Sequence, residues 1–190
     1  MVGEVNILIG LSGVGKGTVL EQAMLLSDKD YKQINYGDKM LKTAKDEGLV
    51  GSRDELKEMS PEENKRIQKK AAKEIVAESE EEDVILETHA AIQTPFGYIP
   101  GLPKWTVENL KPEKIIMLTA SPESIWERTK EDDSRDREHD EVDKIHEYQN
   151  VAREMASTCA VITGAYLTII ENKDGKAERS AEKLLKTLRA

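Results

Sequence analysis

The chain has 190 residues, the size of one domain with one substantial core, and its 37 acidic against 28 basic side chains leave a net charge of −9. That balance argues against a nucleic-acid coat or an anionic membrane surface as partner, while still allowing a local basic pocket, and no apolar run approaches the length of a membrane span. A single cysteine, Cys159, excludes an intrachain disulfide and a cysteine metal cage, and with no basic-then-apolar leader the expectation is a protein of a reducing cytoplasm.

Val5 to Ile9 is a β-branched apolar run of the length of a buried strand. Gly10-Leu11-Ser12-Gly13-Val14-Gly15-Lys16 follows at once, and Lys16-Gly17-Thr18 opens an amphipathic helix predicted to reach about Ser27. Gly10, Gly13 and Gly15 bend the backbone through conformations that a Cβ disfavours. A bare glycine turn before a lysine would also match G-x-x-x-x-G-K, but it would not explain the position between an apolar strand and a helix. The arrangement reads as a phosphate loop: backbone N–H groups and the helix N-terminus wrap a triphosphate while the Lys16 ammonium reaches its outer phosphates. The residue after Lys16 is Gly17, so the hydroxyl that usually ligates Mg²⁺ comes one place later, at Thr18. This G-K-G-T form resembles the nucleoside monophosphate kinases. The likeness implies Thr18 at the α-phosphate and a metal held mainly by phosphate oxygens and water.

Tyr31 to Tyr36 reads as a second strand broken by Gly37-Asp38, and Lys39 to Glu47 as a helix ended by Gly48. Arg53 to Met59 forms a short helix. Ser60-Pro61-Glu62-Glu63 then starts a longer one, with an N-cap serine, proline at the first position and acids in the first turn. Ile67, Ala71, Ala72 and Ile75 give it one apolar face, and Glu80 to Asp83 is a solvated turn. Val84 to Glu87 is the third strand. Residues 88–103, with three prolines and two glycines, read as a loop too long for a mere connector. A helix over Lys104–Leu110, a fourth strand over Lys114–Thr119 and a helix from Ser121-Pro122-Glu123 to Lys130 come next. Residues 131–140 are nine charged or ionisable side chains and Ser134, which cannot be core. The remainder reads as a helix over Glu141–Val161, a fifth strand over Leu167–Ile170, a turn at Asn172–Gly175 and a closing helix over Ala177–Leu188. Strands separated by helices predict βαβ crossovers and a parallel sheet covered on both faces. Ligands of such sheets bind at the carboxyl ends of the strands, so the loops starting at Gly10, Tyr36, Glu87 and Ser121 are expected around one cleft.

Several residues in those loops suit phosphate chemistry. Glu87 ends the third strand, where a carboxylate can hold Mg²⁺ directly or through water, or simply accept hydrogen bonds from the phosphate loop or Thr18. Asn35-Tyr36-Gly37-Asp38 follows the second strand, the place for a second substrate. Gly37 lets a ligand approach the backbone, and Asp38 either serves that ligand or caps the next helix. Arg53 is a phosphate clamp or a surface ion pair. Arg128 and Arg153 are further candidate cations. Arg135 and Arg137 alternate within the charged segment, where they either belong to a salt-bridged, solvated loop or fold over phosphates as a lid. The phosphate loop favours the lid. His89, two residues past Glu87, is a hydrogen-bond donor for substrate.

Gly10 to Thr18, Ile34 to Asp38, Ser52 to Leu56, Glu87-Thr88-His89-Ala90, Thr94 to Pro103 and Ala152-Arg153 together resemble adenylate kinase of the archaeal type, nearly end to end. Thr88-His89, with Gly97-Tyr98-Ile99-Pro100-Gly101-Leu102-Pro103 after it, is the most specific part. The resemblance implies transfer of the γ-phosphoryl group of ATP to AMP, giving two ADP, with Mg²⁺. It also implies an α/β three-layer P-loop NTPase fold with a five-stranded parallel sheet, one domain over residues 1–190, a short lid at about 131–140 and a trimeric assembly. The AMP-binding region would span about 35–78, with Asn35, Tyr36, Gly37, Asp38, Arg53, Thr88 and His89 facing the acceptor. Lys16, Arg128, Arg135, Arg137 and Arg153 would be the catalytic cations. Glu87 stands where the family usually shows Asp. An AMP phosphate is already ionised at neutral pH, so the lack of an acid–base pair accords with this chemistry. Two other readings keep the same loop: an ATPase or assembly factor switched by nucleotide, and a small kinase with another acceptor.

Overall fold

The computed structural model describes residues 3–130 and 142–190. Its main sheet has five parallel strands in the order β2-β3-β1-β6-β7, where β1 is Val5–Ile9, β2 Lys32–Asn35, β3 Val84–Thr88, β6 Lys114–Thr119 and β7 Tyr166–Glu171. All five residues of β1 and all six of β6 are buried, as largely aliphatic strands require when helices cover both faces, with Asn6, Lys114 and Thr119 the polar residues among them. Helices α1 (Lys16–Leu26) and α8 (Ala177–Arg189) pack together. So do α2 (Tyr36–Asp46) with α4 (Pro61–Ser79), α4 with α5 (Lys104–Leu110), and α6 (Pro122–Lys130) with α7 (Val142–Thr163). A short helix, α3, covers Arg53–Glu58. The parallel sheet and its flanking helices are those expected, and Cys159 is a buried residue of α7, its thiol pushed up by burial.

Local rules account for most helix starts. Ser60 accepts a hydrogen bond from the Glu63 N–H with Pro61 at the first position, and Ser52 caps α3 through Glu55. One helix start differs from expectation. Helix α2 begins at Tyr36, three residues early, because Asn35 rather than Asp38 is its cap: the Asn35 Oδ1 accepts from the Asp38 N–H at 3.1 Å. Gly37 is carried within the first turn of α2.

Residues 88–103 are not an irregular loop. They contain a second sheet, the antiparallel hairpin β4 (Ala91–Thr94) and β5 (Gly97–Pro100), with Thr94 opposite Gly97. Gly97 adopts φ 118°, and the Thr94 hydroxyl bonds the Gly97 carbonyl and the Phe96 N–H across the turn. The hairpin folds back so closely that a Cβ on Gly101 would overlap the His89 carbonyl, while the Gly101 N–H donates to Ala90. On its other side Tyr98 packs against Tyr148 of α7, with ring centroids 5.3 Å apart, and the Tyr148 hydroxyl donates to the Ala91 carbonyl.

Candidate functional site

The central strand β1 delivers residues 10–15 to the carboxyl edge of the sheet, between β3 and β6. Leu11 and Val14 turn their side chains into the core, so the loop presents backbone to the cleft. Gly13 and Gly15 take φ 86° and 88°, the left-handed region that favours glycine. A Cβ on Gly10 would lie 2.8 Å from the Leu118 carbonyl oxygen of β6. Around a hypothetical Cβ on Gly17, by contrast, no protein atom comes within 4 Å. Helix α1 starts without a side-chain cap, which leaves its first N–H groups available to an anion.

Lys16 closes the loop on itself. Its Nζ donates to the Gly10 carbonyl at 2.8 Å and the Leu11 carbonyl at 3.3 Å. Burial lowers its pKa from 10.5 to about 8, against the opposing pull of the Glu87 carboxylate. Glu87 pairs in register with Leu8 and Thr88 with Ile9, which sets both at the carboxyl end of β3 beside the loop. His89 follows, its pKa lowered to about 4 by burial and by the nearby Lys16 charge. It is therefore a neutral imidazole at pH 7, a hydrogen-bonding group rather than a cation. Among the described residues no three His, Cys, Asp or Glu side chains are grouped to cage a metal. A lone carboxylate beside a phosphate cradle suits Mg²⁺ that arrives with phosphates and keeps most of its water.

The other predicted residues are distributed unevenly. Asn35 ends β2, next to β3, so the loops after Asn35 and Glu87 leave adjacent strands as expected. Tyr36 is turned inward: its buried hydroxyl lies 3.2 Å from both the Gln68 carbonyl and the Thr106 hydroxyl, and its pKa is raised by burial. Its phenol is a core group, leaving only backbone to the cleft. Asp38 and Arg53 form an exposed ion pair beside Gly37. Arg128 reaches the phosphate loop, its Nη1 donating to the Gly13 carbonyl at 3.1 Å and its Nη2 pairing with Asp174. Ser12 is half-buried and Thr18 exposed in the first turn of α1. Arg153 lies on the exposed side of α7, where its carbonyl accepts from the Ser157 hydroxyl. Arg135 and Arg137 lie outside the described residues.

Three buried or bridging residues escaped the sequence reading. Asn172 donates its Nδ2 to the Val14 carbonyl at 2.8 Å. Asp174 holds Arg128 and the Ser124 hydroxyl. Gln149 of α7 bonds both backbone groups of Ala120, at 2.9 and 3.3 Å, steadying the turn after β6. Only the Asn172–Gly175 turn carried a local signal, and that signal names a turn, not its partner.

A family model described as an AAA domain matches residues 9–146. The adenylate kinase of Methanopyrus kandleri is 40% identical over the full length of both chains, and that of Methanocaldococcus jannaschii 38%, also over both full lengths. The adenylate kinase of Thermoplasma acidophilum is 38% identical over 96% of this chain and 97% of its own. Among solved structures, shikimate kinase from Acinetobacter baumannii superposes with a TM-score of 0.61 at 17% identity, covering 98% of this chain and 93% of that one. TT1252 from Thermus thermophilus gives 0.60 at 13%, covering 100% and 97%. At such identities these two structures speak for the fold alone.

Proposed function

The chain belongs to the adenylate kinase family, and from that premise we propose that its cleft moves the γ-phosphoryl group of ATP to AMP, giving two ADP. The observation that carries this reading is the phosphate loop itself: uncapped helix N-terminus, two left-handed glycines, and a lysine whose charge is destabilised by burial. ATP phosphates would take the backbone N–H groups of residues 10–18 and draw Lys16 away from the Gly10 and Leu11 carbonyls. AMP would lie between the loops after Asn35 and Glu87, with neutral His89 as a hydrogen-bond donor and Arg53 exchanging Asp38 for the acceptor phosphate. Mg²⁺ would neutralise charge between the phosphates, with Glu87 the residue that orients it, directly or through water.

No general base is needed, because the attacking phosphate oxygen is already ionised. Catalysis then rests on bringing two polyanions together and stabilising the charge spread over the moving group. Lys16 and Arg128 lie at the loop for that task. Arg135, Arg137 and Arg153 are assigned to it on the resemblance, with residues 131–140 as lid and about 35–78 as the acceptor region of one domain. A homotrimer belongs to the same proposal; Val161 and Tyr166, 85% and 70% exposed near edge strand β7, offer it apolar surface, and light scattering tests it. No helix among the described residues is long and apolar enough to cross a membrane. The functional test is a coupled assay of ADP formation from ATP with each nucleoside monophosphate in turn. Turnover that requires AMP is expected, whereas phosphate release without an acceptor would identify an ATPase.

A further inference from the structure

We propose that Asn172 is a positioning residue for the phosphate loop: its side-chain amide holds the peptide unit between Val14 and Gly15 in the orientation that aims an N–H at the bound phosphates. This rests on the reading of residues 10–18 as the ATP phosphate site. Asn172 is itself anchored, since its backbone N–H donates to the Thr119 carbonyl at 2.7 Å, continuing the ladder between β6 and β7. From that fixed point its Nδ2 donates to the Val14 carbonyl at 2.8 Å across a buried contact, and the residue is 4% exposed.

The geometry of a peptide makes this bond directional. In a trans peptide the C=O and N–H lie on opposite edges of one plane, and the described chain has no cis bond. Pulling the Val14 carbonyl outward toward Asn172 therefore turns the Gly15 N–H inward, to the concave side of the loop. Gly15 fits the brace in two ways. Its φ of 88° suits glycine, and a Cβ there would lie 2.6 Å from the Asn172 Nδ2. The next carbonyl back, Gly13, accepts from Arg128, which pairs with Asp174, two residues beyond Asn172. One short turn after β7 thus sets two consecutive carbonyls of the loop.

A packing role does not explain the amide. Its Oδ1 is buried with no hydrogen-bond partner among the described residues, a cost that an apolar side chain of similar shape would avoid. What the amide supplies and an apolar group cannot is the donor to Val14.

The test compares Asn172→Ala and Asn172→Asp with wild type, measuring dissociation constants for ATP, inorganic tripolyphosphate and AMP, together with kcat, both KM values and Tm. Both variants keep the backbone bond to Thr119, so the strand ladder persists. Losing the donor is expected to weaken ATP and tripolyphosphate alike by about tenfold, with AMP unchanged within twofold. Asn172→Asp should be the worse of the two, because its carboxylate faces the Val14 carbonyl oxygen. If Asn172→Ala does not fold, Asn172→Ser carries the same comparison. Folded variants that bind tripolyphosphate like wild type overturn the inference, as does equal weakening of AMP. Lys16→Ala separates this from the underlying reading: if it too leaves tripolyphosphate binding intact, the phosphate site itself is misassigned.

Discussion

Replacing Lys16 by methionine should give a protein that is inactive and yet more stable than wild type at pH 7. In the unliganded chain the ammonium lies against two carbonyls, and burial brings its pKa from 10.5 down to about 8. At about 1.4 kcal/mol per pKa unit, the charge costs the folded state on the order of 3 kcal/mol at neutral pH. The lysine stem reaches the cleft surface and its two hydrogen bonds return part of that cost, so about 2 kcal/mol of net stabilisation is expected. For a chain of this length that is a rise in Tm of roughly 4–8 °C. The sign has a pH signature. Below pH 8 the lysine is charged in both states and the penalty is whole. Between pH 8 and 10.5 the folded lysine sheds its proton while the unfolded one keeps it, so wild-type stability climbs toward that of the variant. Urea denaturation of both proteins at pH 7 and pH 10, with ADP formation measured alongside, is the assay. A Lys16→Met protein that is less stable at pH 7, or a gap that does not narrow at pH 10, would refute the buried-charge argument. Retained turnover would refute the role of Lys16.

Other expectations follow from the same geometry. His89, with a pKa of about 4, should titrate by NMR well below an ordinary imidazole. Its unfolded form gains a proton near pH 6.5 and its folded form does not, so its contribution to stability should be lost as pH falls from about 6.5 toward 4. Arg53→Ala should raise the KM for AMP about tenfold or more, the worth of a charge-assisted phosphate contact, while the KM for ATP stays within a few-fold. An equal rise for both substrates would move Arg53 out of the acceptor site. Arg135→Ala and Arg137→Ala should slow turnover more than they weaken ATP binding, and full turnover in both would make segment 131–140 a solvated loop.

What the sequence determined on its own was whatever short-range physics decides. Val5 to Ile9, aliphatic but for Asn6 and directly followed by a glycine loop, has the length and composition of a buried strand. Gly13 and Gly15 mark left-handed backbone, and Ser60-Pro61 starts a helix, wherever in the fold they sit. Those rules, applied strand by strand, led to the parallel sheet and to a phosphate loop at its carboxyl edge. Tertiary structure decided what those rules do not encode. The hairpin of residues 91–100 went unseen because its strands are only four residues long, with Pro95 in the turn and Pro100 at the end of β5, and they gain their order from Tyr148 of α7 and the close approach of Gly101 to His89. Tyr36 turned inward because Gln68 and Thr106, distant in sequence, offered its hydroxyl partners in the core. Arg53 found Asp38 across a fifteen-residue separation. The bonds that hold the phosphate loop span 158 residues from Asn172 to Val14 and 115 from Arg128 to Gly13. A loop's own residues determine which conformations it can adopt. Which one it keeps depends on donors brought to its outer face by strands and helices far along the chain.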